Sequence, residues 1–376
     1  MKRMFLGVAL CLALIGCSDK DDTAAGGKAG AGTGDIAAGK ALAEKECKGC
    51  HGLDGKGVAP GIPHLAGQSD RYILTSLKEY IDKKRSHAAL RQIAEHMSEA
   101  DARNVAAYFA SLPPVTPAAG LAVFSPYERG KSLAPVCTKC HGENGNSTTP
   151  GTPSLAGQQP RYFVAATTQY LNGARATSPM HGLVRDLNRI DLESLALYFA
   201  SQTPSERPKP AFGNPAAAEA KTAFCGGCHG PLGVSTDAAT PSLAGQDPDY
   251  LVNSTKAYRI ARKHPAMQRA VAGLSDNDIE NIAAYYSVQK SRPAEDGQKL
   301  VQGLTEKCNR CHGSDARNTA MAVPNLRAQD MDYLIMALRS YRDDRRGSSV
   351  MHNMSFPYGD AIVESIASFY ASQPAK

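Results

Sequence analysis

Cys47-Lys48-Gly49-Cys50-His51 returns three times along the chain, as Cys137-Thr138-Lys139-Cys140-His141, Cys225-Gly226-Gly227-Cys228-His229 and Cys308-Asn309-Arg310-Cys311-His312. The first cysteines of successive motifs stand 90, 88 and 83 residues apart in a sequence of 376. Of ten cysteines, eight lie in the four motifs and two, Cys11 and Cys17, at the extreme N-terminus. None remains for a structural disulfide or a thiol nucleophile.

C-x-x-C-H is the pattern of covalent c-type haem attachment. Each cysteine adds its sulfur to one haem vinyl group, and the two-residue gap sets the sulfurs at the separation of the vinyls. The histidine that follows falls beneath the iron as its proximal ligand. The sequence thus predicts four covalently bound haem c groups. Cys47, Cys50, Cys137, Cys140, Cys225, Cys228, Cys308 and Cys311 carry the thioethers, and His51, His141, His229 and His312 bind iron. Zinc is the chemical rival. A closed zinc site needs four ligands, and each motif offers two cysteines and a histidine too close in sequence to close easily around one ion. A thioredoxin-like redox pair would occur once and without the fixed histidine.

The repeat extends beyond the motif. A glycine-bearing turn follows the histidine (Gly52 and Gly55, Gly142 and Gly145, Gly230 and Gly233), with Ala316 in place of the second glycine in the fourth repeat. Then comes Pro-x-Leu-Ala-Gly-Gln at 63–68, 153–158 and 241–246, diverged to Pro324-Asn325-Leu326-Arg327-Ala328-Gln329 in the fourth. Tyr72, Tyr162 and Tyr250 then open amphipathic stretches, and each repeat closes on a helical pattern with paired aromatics: Tyr108-Phe109, Tyr198-Phe199, Tyr285-Tyr286 and Phe369-Tyr370. These pairs are expected in the core, where the last helix packs on the first. No stretch alternates with a period of two over strand lengths, so the class is all-α. Pro-rich joints divide the chain into domains at 35–116, 117–208, 209–292 and 293–376. Each is small enough to have a marginal core alone. Buried haem would supply the missing apolar surface, and the apo-protein is expected to fold poorly.

Residues 1–17 read as an export signal: Lys2 and Arg3, then an apolar run from Met4 to Ile15 that is too short for a stable membrane span. The run ends Leu14-Ile15-Gly16-Cys17, which resembles a bacterial lipobox and implies that Cys17 is lipidated and becomes the first mature residue; the alternative is an ordinary signal peptide cut near the later alanines. The resemblance to that lipoprotein class, in which Asp directly after the cysteine marks the inner membrane, implies with Ser18 an outer-membrane anchor facing the periplasm, with the cell surface as a variant. Residues 18–34 are rich in Gly, Ala and Asp and read as a flexible tether. The formal charge is +6, of which Lys2 and Arg3 account for two. Eight haem propionates would bring the oxidised protein near neutrality and the reduced one below it. The apparent basicity therefore offsets the cofactors and does not indicate nucleic acid.

These units resemble class I cytochrome c domains and, more narrowly, those of the dihaem c-four type cytochromes and their monohaem relatives. The resemblance rests on C-x-x-C-H, Pro-x-Leu-Ala-Gly-Gln with its following Tyr, a late Met and the aromatic last helix, and spans about residues 35–376. It implies four tandem class I domains, each wrapped around one haem, and electron carriage between redox proteins. Four units look like two dihaem modules joined, with one–two and three–four as the guess for their pairing.

The resemblance also implies a distal methionine from the loop before the last helix. Arg175 leads to Met180, Arg262 to Met267 and Arg346 to Met351, always five residues on. Met180, Met267 and Met351 are assigned as distal ligands, with Met354 a minor competitor. His181 and His352, next to two of them, read as surface or rim residues. The first repeat breaks the pattern, because Arg85 leads to Leu90 and Met97 takes the register of the core residues Leu187 and Leu274. His87 is the reading taken for the sixth ligand there. Met97, His96 and an open iron stay as alternatives, and His64 sits where packing near the proximal side is expected. Unit three carries His264 at the place of His87 while keeping Met267. Met/His ligation raises a haem's potential, so three higher-potential haems and one distinct haem are expected.

The leading functional expectation is a membrane-tethered electron carrier without catalysis of its own. The alternative is a haem enzyme, a peroxidase or small-molecule oxidoreductase, working at an open first site. Thiosulfate dehydrogenases resemble this domain type but place a cysteine on the catalytic haem, and this chain has none to spare.

Overall fold

The computed structural model describes residues 34–175, 179–313 and 322–375. The export signal, Cys17, nearly all of the tether and Ala316 lie outside them. Every regular element among the described residues is helical. Residues from Gly34 onward cluster as one compact unit.

The first repeat contributes α1 (Ile36–Glu46), α2 (Lys48–His51), α3 (Asp70–Ile81), α4 (Ala88–Glu95) and α5 (Glu99–Ser111). The second gives α6 (Pro126–Leu133), α7 (Pro135–His141), α8 (Pro160–Leu171), α9 (Pro179–Val184) and α10 (Arg189–Ala200). In the third, α11 (Pro215–His229) runs unbroken into the motif and is followed by α12 (Pro248–Ile260), α13 (Pro265–Val271) and α14 (Asp276–Ser287). The fourth repeats that form with α15 (Leu300–His312), α16 (Met331–Arg342), α17 (Ser349–Ser355) and α18 (Asp360–Ser372).

The sequence signals place the ends of these helices. Asp35 caps α1 by accepting from the N–H groups of Ala37 and Ala38. Ser98 with Asp101, Asn188 with Asp191, and Ser275 with Asp278 form reciprocal capping boxes on α5, α10 and α14. In each repeat the first and last helices cross around the aromatic pair. Phe109, Phe199, Tyr286 and Tyr370 are at most 1 % exposed, as expected of core residues. In the first two repeats the crossing is close because glycine stands at it. A Cβ on Gly39 would meet Asn104 O at 2.0 Å, and one on Gly130 would meet Ser194 O at 2.1 Å.

The repeats do not pair with their sequence neighbours, which corrects the guess of one–two and three–four. The first binds the fourth: Gln68 and Gln329 exchange hydrogen bonds with Asn325 and His64, and Gly61 N–H donates to Asp330 at 2.8 Å. The second binds the third in the same manner, through Gln158 with Ser242, Gln246 with Ser154, and Gly151 N–H with Asp247. The joint after the second repeat seals its interface, as Arg207 donates to Ser147 O, Ser154 Oγ and Gly245 O and ion-pairs with Asp247.

A different seam joins the two pairs. Helices α10 and α18 pack together, and Leu197 of α10 belongs to the same apolar cluster as Ile362, Val363 and Ile366 of α18. Covered on this side as well as by α6 and α8, α10 is buried from Asp191 through Ala200. Gly359, the N-cap of α18, provides no capping side chain. Glu193 of the second repeat supplies it instead, accepting from Ala361 N–H at 2.8 Å. Phe124 adds backbone bonds to Ser365 and Ser368. The contacts run first–fourth–second–third.

Candidate functional site

Each motif lies at the C-terminal end of a helix, which a glycine ends in the first three repeats at positive φ (63° at Gly52, 77° at Gly142, 81° at Gly230). The four motif histidines are buried, at 7–8 % exposure. Their Nδ1 atoms bond to the carbonyls of Pro63, Pro153, Pro241 and Pro324 at 3.0, 2.8, 2.8 and 3.0 Å. Nδ1–H thus donates to the carbonyl, the tautomer is fixed, and Nε2 is left with the lone pair a metal needs. Burial lowers the pKa of all four imidazoles against the raising effect of the proline carbonyl, so the neutral, ligating form is favoured.

The eight motif cysteines are unbridged. Burial, with Glu46 and Cys50 adding to it, pushes the Cys47 thiol up to about 11, and burial alone does the same to Cys137. Cys225 and Cys308 are raised by burial too. Such thiols are poor thiolate ligands. Among the described residues no three His, Cys, Asp or Glu side chains converge to hold a metal ion. A sulfur bonded to a prosthetic group fits this arrangement, and a zinc cage does not.

On the distal side the four repeats place equivalent residues alike. Met267 and Met351 take the third position of the short helices α13 and α17, where their N–H groups donate to the capping side chains of His264 and Ser348. Leu90 occupies that position in α4, and its N–H donates to His87 Nδ1 at 3.2 Å. Met180 lies at the second residue of α9. All four are half-buried. His87 is exposed, caps α4 through Nδ1 and stands edge-on to Tyr80 at 6.3 Å. His264 does the same against Tyr258 at 6.5 Å in a repeat that has its methionine. The geometry gives His87 a capping role and leaves Nε2 outside that bond. Met97, half-buried, donates its N–H to Ala94 O at the end of α4, and His96 bonds back to Gln92 O. His181 and His352 bond to Tyr170 O and Tyr341 O. His64 lies on the proximal side, accepting from Gly57 N–H through Nδ1.

Sequence reasoning used the four arginines only as alignment anchors and missed their chemistry. Arg85, Arg175 and Arg346 are 7–8 % exposed, and each of the four guanidiniums lies over tyrosine rings at 4.5–6.0 Å. At the first–fourth interface Tyr72 Oη accepts from Arg346 at 3.0 Å and from Arg85 at 3.3 Å. Burial pushes the Tyr72 hydroxyl up, but the two guanidiniums outweigh it and hold the group at about 8. Glu79, 2.6 Å from Arg85 Nε, is the carboxylate paired there, and Gln169 takes its place beside Arg175. The signal was the recurrent Tyr to Arg spacing, 13 residues in three repeats and 12 in the third.

These centres fit haem. Buried positive charge requires anionic partners, and propionates would supply them. The Nε atoms of Arg346 and Arg327 are buried without an acceptor, which is a vacancy a carboxylate can satisfy.

Comparison with known proteins agrees. The family profile "Cytochrome c" matches residues 36–113, and "Cytochrome C oxidase, cbb3-type, subunit III" matches residues 215–285. Cytochrome c4 of Pseudomonas aeruginosa is 35% identical over 180 residues, which are 44% of this chain and 87% of that protein. The "Thiosulfate dehydrogenase electron acceptor" of Thiomonas intermedia is 28% identical over 169 residues, 42% of this chain and 78% of the relative. The crystal structure of reduced recombinant cytochrome c4 from Pseudomonas stutzeri, 31% identical, covers 44% of this chain and 99% of its own, with a TM-score of 0.40. With the proximal geometry repeated at four C-x-x-C-H motifs and most of cytochrome c4 matched at this identity, the chain belongs to the class I c-type cytochromes, in the family of the dihaem cytochromes c4.

Proposed function

We propose that the chain is a tetrahaem electron carrier of the bacterial cell envelope, with one class I domain and one covalent haem in each of 35–116, 117–208, 209–292 and 293–376. The observation that carries this reading is the fourfold Nδ1-to-proline bond behind the motif histidines. A bound haem would supply one-electron Fe(III)/Fe(II) chemistry. The chain's own residues bind and tune it. The motif cysteines fix it, and the proline carbonyls hold the imidazoles in the ligating tautomer. The interfacial arginines and tyrosines offer donors to its propionates. Met180, Met267 and Met351 are proposed as sixth ligands, and lipidated Cys17 as the membrane tether, probing redox partners at a surface. Among the described residues no helix is long and apolar enough to cross a membrane.

A second reading attaches to the first repeat alone. Leu90 stands where Met267 and Met351 stand, and Leu cannot ligate iron. That site is proposed as the distinct one, bound by His87 or open to small ligands, and an open site would support enzyme chemistry. Magnetic circular dichroism and a potentiometric titration of the full-length holoprotein test both readings. The carrier reading expects four reversible one-electron sites, three with methionine–histidine signals. It also expects no turnover with peroxide, nitrite or thiosulfate. Methionine signals from all four sites would refute a distinct first site. Turnover with carbon monoxide-sensitive kinetics would favour the enzyme.

A further inference from the structure

The four glutamines of the Pro-x-Leu-Ala-Gly-Gln segments act on the partner repeat's proximal side. His51 Nδ1 donates to Pro63 O. The peptide built on that carbonyl ends in the N–H of His64, which donates to Gln329 Oε1 at 2.6 Å, while Gln329 Nε2 returns a bond to His64 O at 2.9 Å. The reverse clamp holds His312. Its acceptor is Pro324 O, the next N–H is that of Asn325, and Gln68 binds that residue's N–H at 2.7 Å and O at 3.0 Å. Gln246 clamps Ser154 behind His141 at 2.7 and 2.9 Å, and Gln158 clamps Ser242 behind His229 at 2.9 and 3.1 Å. Gln68, Gln158, Gln246 and Gln329 are 5–8 % exposed, so water competes little for these bonds.

A peptide whose N–H is engaged becomes a stronger acceptor at its carbonyl, because hydrogen bonds in a chain polarise one another. A stronger acceptor for Nδ1–H makes the imidazole a more electron-donating ligand, and such outer partners tune a metal. Each glutamine therefore reaches the iron ligand of the other repeat through one peptide. The same glutamine lies five residues after its own repeat's proline, so each belongs to the segment that its partner's glutamine clamps.

We propose that these glutamines are positioning residues that couple the redox sites in two pairs, first with fourth and second with third, each glutamine lowering the potential of its partner repeat's site. The proposal rests on the electron-carrier reading. A bound haem at each site would take one electron while Nδ1 keeps its proton, so no further reactant is needed.

The test uses full-length holoprotein and a potentiometric titration followed through the ligand resonances of each repeat. Gln329→Leu is expected to favour reduction at the first site by up to about tenfold, or 59 mV for one electron. Gln68→Leu is expected to do the same at the fourth site, and neither moves the second or third. The double variant is expected to show both shifts together and a weaker interaction between the first and fourth sites. Where a leucine variant does not load haem, Gln329→Glu, which keeps the acceptor oxygen and loses the amide donor, is read in its place, with the shift again confined to the first–fourth pair. A shift at the second or third site, at the mutated repeat's own site alone, or at none overturns the proposal. Four reversible potentials with the wrong pattern overturn the coupling alone, whereas a chain with no reducible haem overturns the carrier reading too.

Discussion

Glu193 is one of the residues through which one pair of repeats holds the other, beside Leu197 and Phe124. It is 9 % exposed, accepts the Ala361 N–H at 2.8 Å, and stands where α18 lacks a cap of its own. Replacing it with leucine leaves that buried N–H unsatisfied, at about 1–3 kcal/mol. It also removes a carboxylate from a helix N-terminus, which is worth about 0.3–1 kcal/mol. Its ion pair to Arg189 adds little, because Arg189 is 67% exposed. Glu193→Leu should therefore cost about 1–4 kcal/mol, whereas Glu193→Gln, which keeps an acceptor oxygen, should cost about 1 kcal/mol or less. Chemical denaturation of the holoprotein, followed by haem absorbance and helical circular dichroism, measures both. The leucine variant should also unfold in two phases as the seam between α10 and α18 opens first. Equal costs for the two variants, or a leucine variant within about 0.5 kcal/mol of the parent, would refute the account of cross-repeat capping.

Two equivalent glycines should respond differently to the same change. Gly245→Ala meets nothing closer than 3.4 Å at φ +66°, and Ala328 already tolerates φ +53° at the matching place, so thermal denaturation should show a loss of about 1 kcal/mol. Gly157→Ala meets Pro204 Cγ at 2.5 Å and Arg292 O at 2.6 Å and should lose about 2–5 kcal/mol. Glu79→Leu strands the buried Arg85 and should cost about 3–5 kcal/mol by the same assay. Glu79→Gln, which copies the Gln169–Arg175 bond, should be far milder. Burial lowers the His64 pKa below its ordinary 6.5, with Asp330 and Asp54 raising it and Lys56 and His51 lowering it further. Its folded value is depressed, so its contribution is full above pH 6.5 and lost on acidification. His64→Asn, the residue of the fourth repeat, should flatten the stability profile below pH 6.5.

The fold class was legible because helical periodicity, capping residues and aromatic pairs are local. Ser98 with Asp101 and Ser275 with Asp278 announce their helices within four residues. The proximal side was legible for the same reason, since motif and proline acceptor lie 12 residues apart. Arg85 and Arg346 could be aligned but not interpreted, because they converge on one hydroxyl, Tyr72 Oη, which Arg346 reaches from another repeat. His87 reads as a ligand from its position near Leu90, a reading the structure leaves as a proposal. Its capping bond depends on a backbone turn that residue type does not specify.

By itself, the sequence determined four C-x-x-C-H motifs, an all-α chain and a first repeat with Leu90 where the third and fourth have Met267 and Met351. It also carried an unread division into two kinds of repeat. The first and second have a broken first helix and end their aromatic pairs in Phe109 and Phe199. The third and fourth have an unbroken helix, end in Tyr286 and Tyr370, and carry Asp247 and Asp330, which reach Gly151 and Gly61 of the other kind. That complementarity is satisfied equally by joining one to three and two to four. Only the tertiary structure chose one with four and two with three. The choice turns on the α10–α18 seam, which joins residues more than a hundred positions apart, and on where the joints run.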